Sequence, residues 1–491
     1  MLFVKQELLN MQDKNKNMNF NLISLSKFFL YLVPLVVLVV MPSNFFPFIG
    51  GKYYVFRIFV SLSLICVLIY WAFEDKENKI VKDLKEVFSR PLVKITTIFV
   101  FIYVLASLFA YDPQAAFWSN FERQEGGFQM IHYWLFFILL NLLFKTKKDW
   151  TRLFIVSIIA AVGMIFYGIF SIISPENFFG PYTSLMQGAS TPGFWSMLLN
   201  KSIRFQGSLG NPAYVAPYLM FIIFYALYLW LDKKIGINLR SFWYLFLVLF
   251  FGLFFTLSQT RGAFLGLVAG IFAFFIYLIL SNKKSRKISI LSLIALIILG
   301  GIIYFYRNSN FIQNLPGSRF LQINFQERTA QTRLWTWRSA WEGFKERPIL
   351  GWGPENFSAV FDKYFDTRHY IPNQGSETWF DRAHSVIFDY LAETGIFGLL
   401  SYLGIYTVFY LMFFRSIKIY NELKNKKNLS KDLPKDLQWN LTLSILIAYF
   451  VQNLIIFEVL PMYLNFFLVL AFSGYIFNFL KSEADLKLNK K

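Results

Sequence analysis

Three side chains in the C-terminal half of the chain could act on an activated, anionic substrate. His384 lies in DRAHSVIFDYLAETGIFGLL, where a polar segment re-enters an apolar one. A histidine, with an ordinary pKa near ~6.5, can serve there as a general base. Arg261 lies in LSQTRGAFLGL, a turn between two apolar runs, and Arg333 begins RLWTWRSAWEGF. A guanidinium can bind two phosphate oxygens at once and stays charged at physiological pH.

Arg261 and Arg333 also have structural interpretations. Arg261 could extend to lipid phosphates, since a long basic side chain near the end of a span often reaches the membrane surface. Arg333 could stack on Trp337, which lies four residues later on the same face of a helix. Apolar side chains recur at helical spacing on that face and favour a helix lying along the membrane surface: Leu334, Trp337, Trp341 and Phe344.

The residue types alone leave open the choice of base and the role of two carboxylates. A single histidine is more often a packing residue than a catalyst, and His369 is the second candidate for the base. Asp389 and Glu393 follow His384 by about one and two helical turns. Because carboxylates inside a span are either functional or paired, these two predict support for the histidine or an ion pair with a nearby arginine.

The sequence lacks the motifs of nucleotide-dependent and metal-dependent chemistry. It contains no G-x-x-x-x-G-K-[ST], no H-E-x-x-H and no C-x-x-C, and its one cysteine, Cys66, has no partner for a disulfide. We therefore expect no cofactor and no metal. A substrate that no nucleotide activates must arrive already activated, and for a membrane protein a lipid-borne donor is the natural form.

Composition predicts a protein with many membrane spans. Of 491 residues, 56% are hydrophobic and 16% are charged, and the mean hydropathy is +0.46. This is far more apolar surface than one soluble core could bury. The net charge of +19 must then lie in the loops, so it indicates membrane topology and lipid contact rather than a nucleic-acid partner.

Twelve apolar runs are long enough to cross the ~30 Å hydrocarbon core as helices. They lie at about 25–47, 54–73, 92–110, 128–144, 153–173, 211–231, 241–257, 262–280, 288–306, 385–414, 440–457 and 459–480. The chain is thus predicted to be all-α. We expect nine spans in residues 1–306, a long loop with amphipathic helices at 307–384, three spans in 385–480 and a tail at 481–491.

Basic residues are divided unequally between the two sides of this topology. With both termini inside, the inner segments carry 32 Lys and Arg and the outer segments 16, ten of them in the loop at 307–384. Long loops are exempt from the positive-inside rule, so the relevant comparison is 32 to 6. The bias predicts cytoplasmic termini and an extracytoplasmic long loop.

The region around His384 resembles the bacterial O-antigen ligase family, which also includes O-antigen polymerases and protein O-oligosaccharyltransferases. His384 and Ser385, nine residues, Gly395, two residues and Gly398 match an H-[NSQ]-x9-G-x-x-G pattern of that family. Asn is commoner than Ser at the second position, and this departure leaves the acceptor less defined than the fold.

Other motifs occur in the order that the same family shows. S-x-x-R-G occupies 258–262, R-x-x-x-W begins at Arg333, and G-W-G-P-E-N-F occupies 351–357. Arg204 precedes a G-x-x-x-N-P run, as an arginine does in that family. The resemblance covers about residues 200–410.

The resemblance implies a GT-C-like membrane glycosyltransferase. It would move a glycan from undecaprenyl diphosphate to a hydroxyl of a glycan, lipid or protein acceptor, on the outer face of the bacterial cytoplasmic membrane, with inversion and without a metal. It implies Arg261 and Arg333 on the diphosphate, Arg204 as an auxiliary and His384 as the base. Supporting roles would fall to Trp337, Asp389, Glu393 and His369.

Two kinds of alternative remain. Ligation, polymerisation and protein glycosylation use the same donor, and we favour ligation because the histidine pattern is ligase-like. A transporter or flippase for lipid-linked sugars is the non-enzymatic alternative. It predicts inverted repeats, interrupted helices and charges at the middle of the membrane, whereas the polar candidates here concentrate at the outer edge.

Overall fold

The computed structural model describes residues 21–44, 46–120, 123–173, 204–232, 239–281, 285–315, 317–322, 326–370, 378–425 and 433–488. Within these ranges the chain is helical and has no strand, which confirms the all-α, membrane-spanning class predicted from the sequence.

The N-terminal part of the described chain contains eight α-helices. They are α1 (Leu22–Leu32, continued by a 3-10 helix at Val33–Leu38), α2 (Gly50–Phe73), α3 (Lys79–Ser89), α4 (Pro91–Leu108), α5 (Pro113–Trp118), α6 (Gly127–Leu143), α7 (Lys147–Ile173) and α8 (Pro212–Asp232).

The C-terminal part of the described chain contains nine more. They are α9 (Leu239–Leu257), α10 (Arg261–Ser281), α11 (Arg286–Phe305), α12 (Asn310–Asn314), α13 (Arg328–Glu346), α14 (Phe357–Lys363), α15 (Val386–Asn425), α16 (Asp436–Asn453) and α17 (Leu460–Leu488).

Capping residues and prolines set several helix starts. The side chain of Asn21 accepts from the second and third N–H groups of α1, and Asp112 does the same for α5. Pro91, Pro113 and Pro212 occupy the first position of their helices, where the missing N–H costs nothing.

Each of the twelve predicted spans corresponds to a helix. Eight helices are long and apolar enough to cross a membrane by length and composition: α2, α4, α7, α8, α10, α11, α15 and α17. Three shorter apolar stretches are Leu22–Leu38, α6 and Ser241–Leu257. The predicted span at 440–457 overlaps α16, whose polar side chains face the protein interior: Gln438, Asn440, Gln452 and Asn453.

The bundle has a buried centre and an exposed edge. In α17, 94% of an 18-residue apolar stretch is buried. This helix packs on α6, α8 and α15 among others. In α11 the corresponding share is 6%. A helix that is apolar on all faces can lie at the centre of the bundle, where protein surrounds it, or at the edge, where lipid can surround it.

Glycines bring α10 and α16 into close contact. Gly262, Gly266 and Gly270 follow one another at intervals of four residues, and a Cβ added at Gly266 would lie 2.4 Å from the carbonyl oxygen of Ala448. A Cβ added at Gly262 would lie 2.8 Å from Cδ1 of Ile455. This small-residue spacing lets the backbones approach. It fixes Arg261, the first residue of α10, beside the end of α16.

The described parts of residues 307–384 lie on the end of the bundle where α10 and α15 begin, and we call this the loop end. Here α13 packs against α15 through a row of small residues: Thr332, Thr336, Ser339, Ala340 and Gly343. The predicted apolar face of α13 is therefore only partly buried against α15. Trp337 faces α15, whereas Leu334 is 47% exposed and Trp341 is 46% exposed.

Candidate active site

A break in α15 anchors the long loop. Gly395 has φ 64° and ψ −164°, which interrupts the helix. Because of this break, the carbonyl of Ala392 accepts instead from the N–H of Trp352 at 2.8 Å. The carbonyl of Glu393 likewise accepts from the N–H of Gly353 at 2.8 Å. A Cβ at Gly395 would lie 2.4 Å from the loop backbone, which explains the first glycine of the G-x-x-G pattern.

A buried ion pair holds the loop immediately before the histidine. Arg382, 6% exposed, donates from Nη1 to Oε1 of Glu393 at 2.6 Å and from Nη2 to Oε1 of Glu355. The N–H of Glu355 donates to the same Glu393 carboxylate at 3.1 Å. Glu393 thus forms the ion pair that was one of its two sequence interpretations, and its partner is an arginine that the sequence did not single out.

Neighbouring groups fix the backbone around His384. Its φ of 57° lies in the left-handed region. Nδ1 of His384 donates to the carbonyl of Arg382 at 3.1 Å. On the adjacent residue, the carbonyl of Ala383 accepts from Nε1 of Trp337 at 2.9 Å, and its N–H donates to Asp389 at 2.6 Å. Trp337 and Asp389 therefore position the histidine segment rather than point away from it.

The ring of His384 is held edge-on between two aromatic rings. Its centroid lies 5.4 Å from that of Phe380 and 5.0 Å from that of Phe457. The residue is partly exposed, and Nε2 has no hydrogen bond to any residue of the described ranges. Burial, and next the positive charge of Arg333, lower the pKa of His384 to about 4. With Nδ1 protonated, the neutral ring presents an open lone pair at Nε2.

The alternative histidine is inaccessible. His369 is 0% exposed, and within the described chain neither ring nitrogen has a hydrogen-bond partner. Burial lowers its pKa. Four aromatic rings surround it: Trp335, Phe361, Phe365 and Phe380. A ring in this position cannot reach an acceptor without unpacking the loop, so the geometry favours His384 as the base.

Arg261 is bound to a carboxylate. Both terminal nitrogens of its guanidinium donate to Glu327, Nη2 to Oε1 at 3.2 Å, and Nε donates to the carbonyl of Arg319 at 3.1 Å. Glu327 is 34% exposed at its side chain. The contact is two-pronged, which is the geometry in which a guanidinium binds a bidentate oxyanion.

Arg204 and Arg319 complete a group of three arginines with Arg261, which we call the arginine trio. Burial, and next the charges of Arg319 and Arg261, lower the pKa of Arg204 to about 10. Burial and the charge of Arg261 also lower the pKa of Arg319. Each guanidinium therefore lies in the field of the others. Within the trio, Arg261 is paired with the carboxylate of Glu327.

The trio and the histidine share the loop end. Gly262, next to Arg261, packs on Ile455, which is two residues before Phe457, the ring that contacts His384. Arg333 is half-buried and lies close enough to His384 to lower its pKa. The predicted diphosphate arginines thus occupy two places, with Arg261 and Arg204 in the trio and Arg333 at the histidine.

The C-terminal part of this site falls within a known family. Residues 243–403 match the family model described as O-antigen ligase. Over this segment the chain is similar to the O-antigen ligase family. The O-antigen ligase segment includes Arg261, Arg333 and His384, whereas Arg204 lies before it. No curated protein matches the chain in a sequence comparison. This match supports a membrane glycosyltransferase-like role.

Sequence reasoning missed three charged residues that the structure places at the site. Arg382 lies only two residues before His384, and Arg319 lies in the same loop, so their proximity could have been a signal. Arg123 comes from the α5–α6 connection and donates to both oxygens of Asp381, at 2.6 and 3.0 Å. Nothing local to Arg123 indicates that pairing.

Within the described ranges, no group of three or more His, Cys, Asp or Glu side chains is arranged to hold a metal ion.

Proposed function

We propose that this protein transfers a glycan from undecaprenyl diphosphate to an acceptor hydroxyl at the loop end, with inversion and without a metal. The observation that carries the proposal is His384, because its Nδ1 is held by a carbonyl, its Nε2 has no hydrogen bond among the described residues, and the residue is partly exposed. We place this end on the extracytoplasmic side of the bacterial cytoplasmic membrane and both termini in the cytoplasm, following the distribution of basic residues.

The reaction needs one proton transfer and one displacement. Nε2 of His384 takes the proton of the acceptor hydroxyl while the hydroxyl oxygen attacks the anomeric carbon of the donor. The bond from that carbon to the diphosphate oxygen breaks on the opposite side, and the configuration inverts. Because the attacking and leaving oxygens lie on opposite sides of the sugar, the base and the diphosphate-binding group must be separated.

The arginines stabilise the departing diphosphate. In the proposed complex the diphosphate replaces Glu327 on the fork of Arg261, with Arg204 and Arg319 beside it and Arg333 nearer to the reacting carbon. Well-placed donors to a developing anion typically contribute ~3–4 kcal/mol each. The closeness of the three guanidiniums, whose charges lower the pKa of Arg204 and of Arg319, supports this assignment.

An apolar groove supports a lipid-borne donor. It has a volume of about 320 Å³ and opens between α8, α10 and α16, where Met220, Ile271 and Ala448 are among its lining residues. The helix α10 that begins at Arg261 also lines this groove. We place the polyprenyl chain here, because a donor with its diphosphate at Arg261 then runs along one helix.

The test is reconstitution of the purified protein in lipid with undecaprenyl-diphosphate-linked glycan and a panel of acceptors, in EDTA and without nucleotide. Transfer is expected. Glycan crossing the bilayer without a new covalent bond would support a transporter instead, and loss of transfer in EDTA that Mg²⁺ restores would overturn the metal-independent mechanism. The acceptor panel separates ligation, polymerisation and protein glycosylation.

A further inference from the structure

A cavity of about 230 Å³ lies at the loop end, apart from the arginine trio. Its lining comes from three separate segments: 46–49 between α1 and α2, Arg123, and 209–211 with Tyr214 at the start of α8. Ligand sites for drug-sized molecules begin at ~300 Å³. The cavity therefore has room for one small ring rather than for an extended oligosaccharide.

The charge of this cavity differs from that of the trio. Its cation, Arg123, is neutralised by a two-pronged ion pair with Asp381 and also donates to the hydroxyl of Tyr214 at 3.4 Å. A guanidinium that is already neutralised offers hydrogen-bond geometry but little net charge. Such a site suits a neutral polar ligand better than a phosphate.

The walls of the cavity combine aromatic and polar groups. Phe46, Phe48 and Tyr214 supply aromatic surface, and Asn211 supplies an amide. A pyranose ring has an apolar C–H face and an edge of hydroxyls. Aromatic walls with a few polar groups are the usual lining of small-molecule sites, and they match both sides of such a ring.

The cavity adjoins the proposed base. Arg123, which lines it, lies over the ring of Phe457 at 5.2 Å, and the ring of Tyr214 lies 6.2 Å from that of Phe457. The edge of the same Phe457 ring contacts His384 at 5.0 Å. One aromatic ring therefore touches both His384 and the residues that line the cavity.

We propose that this cavity binds the acceptor as a saccharide, one of whose hydroxyls gives its proton to Nε2 of His384. The inference rests on the proposed function and adds to it the class and the place of the acceptor. The donor diphosphate occupies the arginine trio, and the neutral acceptor sugar occupies the side lined by Arg123 and Tyr214. The two substrates are thus separated by charge.

A kinetic test uses two variants of the cavity. Phe48→Ala removes an aromatic wall and Ile49→Trp fills the space. Both are expected to raise the KM for a saccharide acceptor by about tenfold or more, equivalent to ~1.4 kcal/mol, while the KM for the lipid-linked donor stays within about twofold. Trp379→Ala, an exposed aromatic change in the long loop, is the matched control and should leave both values unchanged. A rise in the donor KM, or no change in either, would overturn the proposal.

A binding test separates this inference from the reaction itself. Pro47→Cys, made in a Cys66→Ala background, places one thiol at the cavity, where a maleimide can alkylate it. N-acetylglucosamine and glucose, tested separately, are expected to slow alkylation at least twofold, and inorganic pyrophosphate is expected to have no effect. Protection by pyrophosphate alone, or by none of the three, would overturn the saccharide site. This readout does not require transfer, so it stands even if the proposed function fails.

Discussion

Two arginine regions at the loop end differ in how deeply they are buried. Arg382 is almost fully buried and is bound to two carboxylates, Glu355 and Glu393. The arginine trio is half-buried, and within it Arg261 is bound to Glu327, whose side chain is 34% exposed. A buried ion pair is costly to break, whereas a partly exposed pair can exchange its partner for a ligand at a lower cost. The first region therefore holds the backbone, and we propose the second as a binding site.

Among substitutions in these two arginine regions, we expect the largest loss of stability and transfer at Arg382. Arg382→Ala leaves two buried carboxylates without their cation, and breaking a buried pair in this way costs about 3–5 kcal/mol. We expect a large drop in the unfolding temperature of the purified protein and no measurable transfer. Arg338→Ala, an exposed arginine on α13, is the control, with an expected change within about 0.5 kcal/mol. Equal unfolding temperatures for the two variants would contradict the contrast between the regions.

His384→Ala is expected to lower transfer per folded protein by about 10²–10⁴-fold, because a general base contributes in the transition state. The unfolding temperature should fall only modestly, through loss of the ring contacts with Phe380 and Phe457. Donor binding should be retained. His369→Ala is the comparison, since it removes a buried ring from an aromatic cage and should lower stability while the folded fraction remains active. A fully active His384→Ala protein would refute the assignment of the base.

Substitutions of Arg261 and of its partner Glu327 test the arginine trio, and they should affect the use of the donor in opposite directions. Arg261→Lys keeps the charge but loses the fork, so transfer should fall about tenfold or more. Glu327→Gln removes the carboxylate that competes with the diphosphate, so the KM for the donor should fall. Glu393→Gln removes a carboxylate charge from the buried ion pair of Arg382, and it should instead lower the unfolding temperature. If Glu327→Gln raised the donor KM, Glu327 would be part of the binding site rather than a competitor.

The pH dependence of stability and of activity is the smallest of these expected effects, and it is specific to His384. The folded pKa of His384, about 4, lies below the ~6.5 of an unfolded chain. The unfolded state therefore binds more protons between these values, and the contribution of His384 to stability is lost as pH falls through that window. Activity should stay level from neutral pH to about 5 and fall near pH 4. A rate profile with its acid limb near 6.5 would show that the imidazole is more solvated.

The fold class could be predicted from the sequence because apolar run length is a local property. The eight long spans follow directly from it. Apolar run length describes α16 less well, because the polar side chains of this helix are buried in protein rather than exposed to water. The kink at Gly395 was also missed, because a glycine inside an apolar run carries no signal of the loop carbonyl that it must avoid.

The candidate site was predictable where its residues lie in motifs. His384, Arg261 and Arg333 come from such motifs and are all placed at the loop end. Their partners are not local. Arg123 and Asp381 are 258 residues apart, and only the packing of the long loop on the α5–α6 connection brings them together. Charge pairing over such a separation leaves no pattern in a single sequence.

The left-handed backbone at His384 has a consequence for which residues this position tolerates. A side chain other than glycine in the left-handed region costs of order 1 kcal/mol, and φ at His384 is 57°. Glycine would relieve that cost, but it would also remove the ring packed between Phe380 and Phe457 and increase the entropy of the unfolded chain. Because these effects oppose each other, the backbone conformation alone does not favour glycine here, and the ring contacts help to retain histidine.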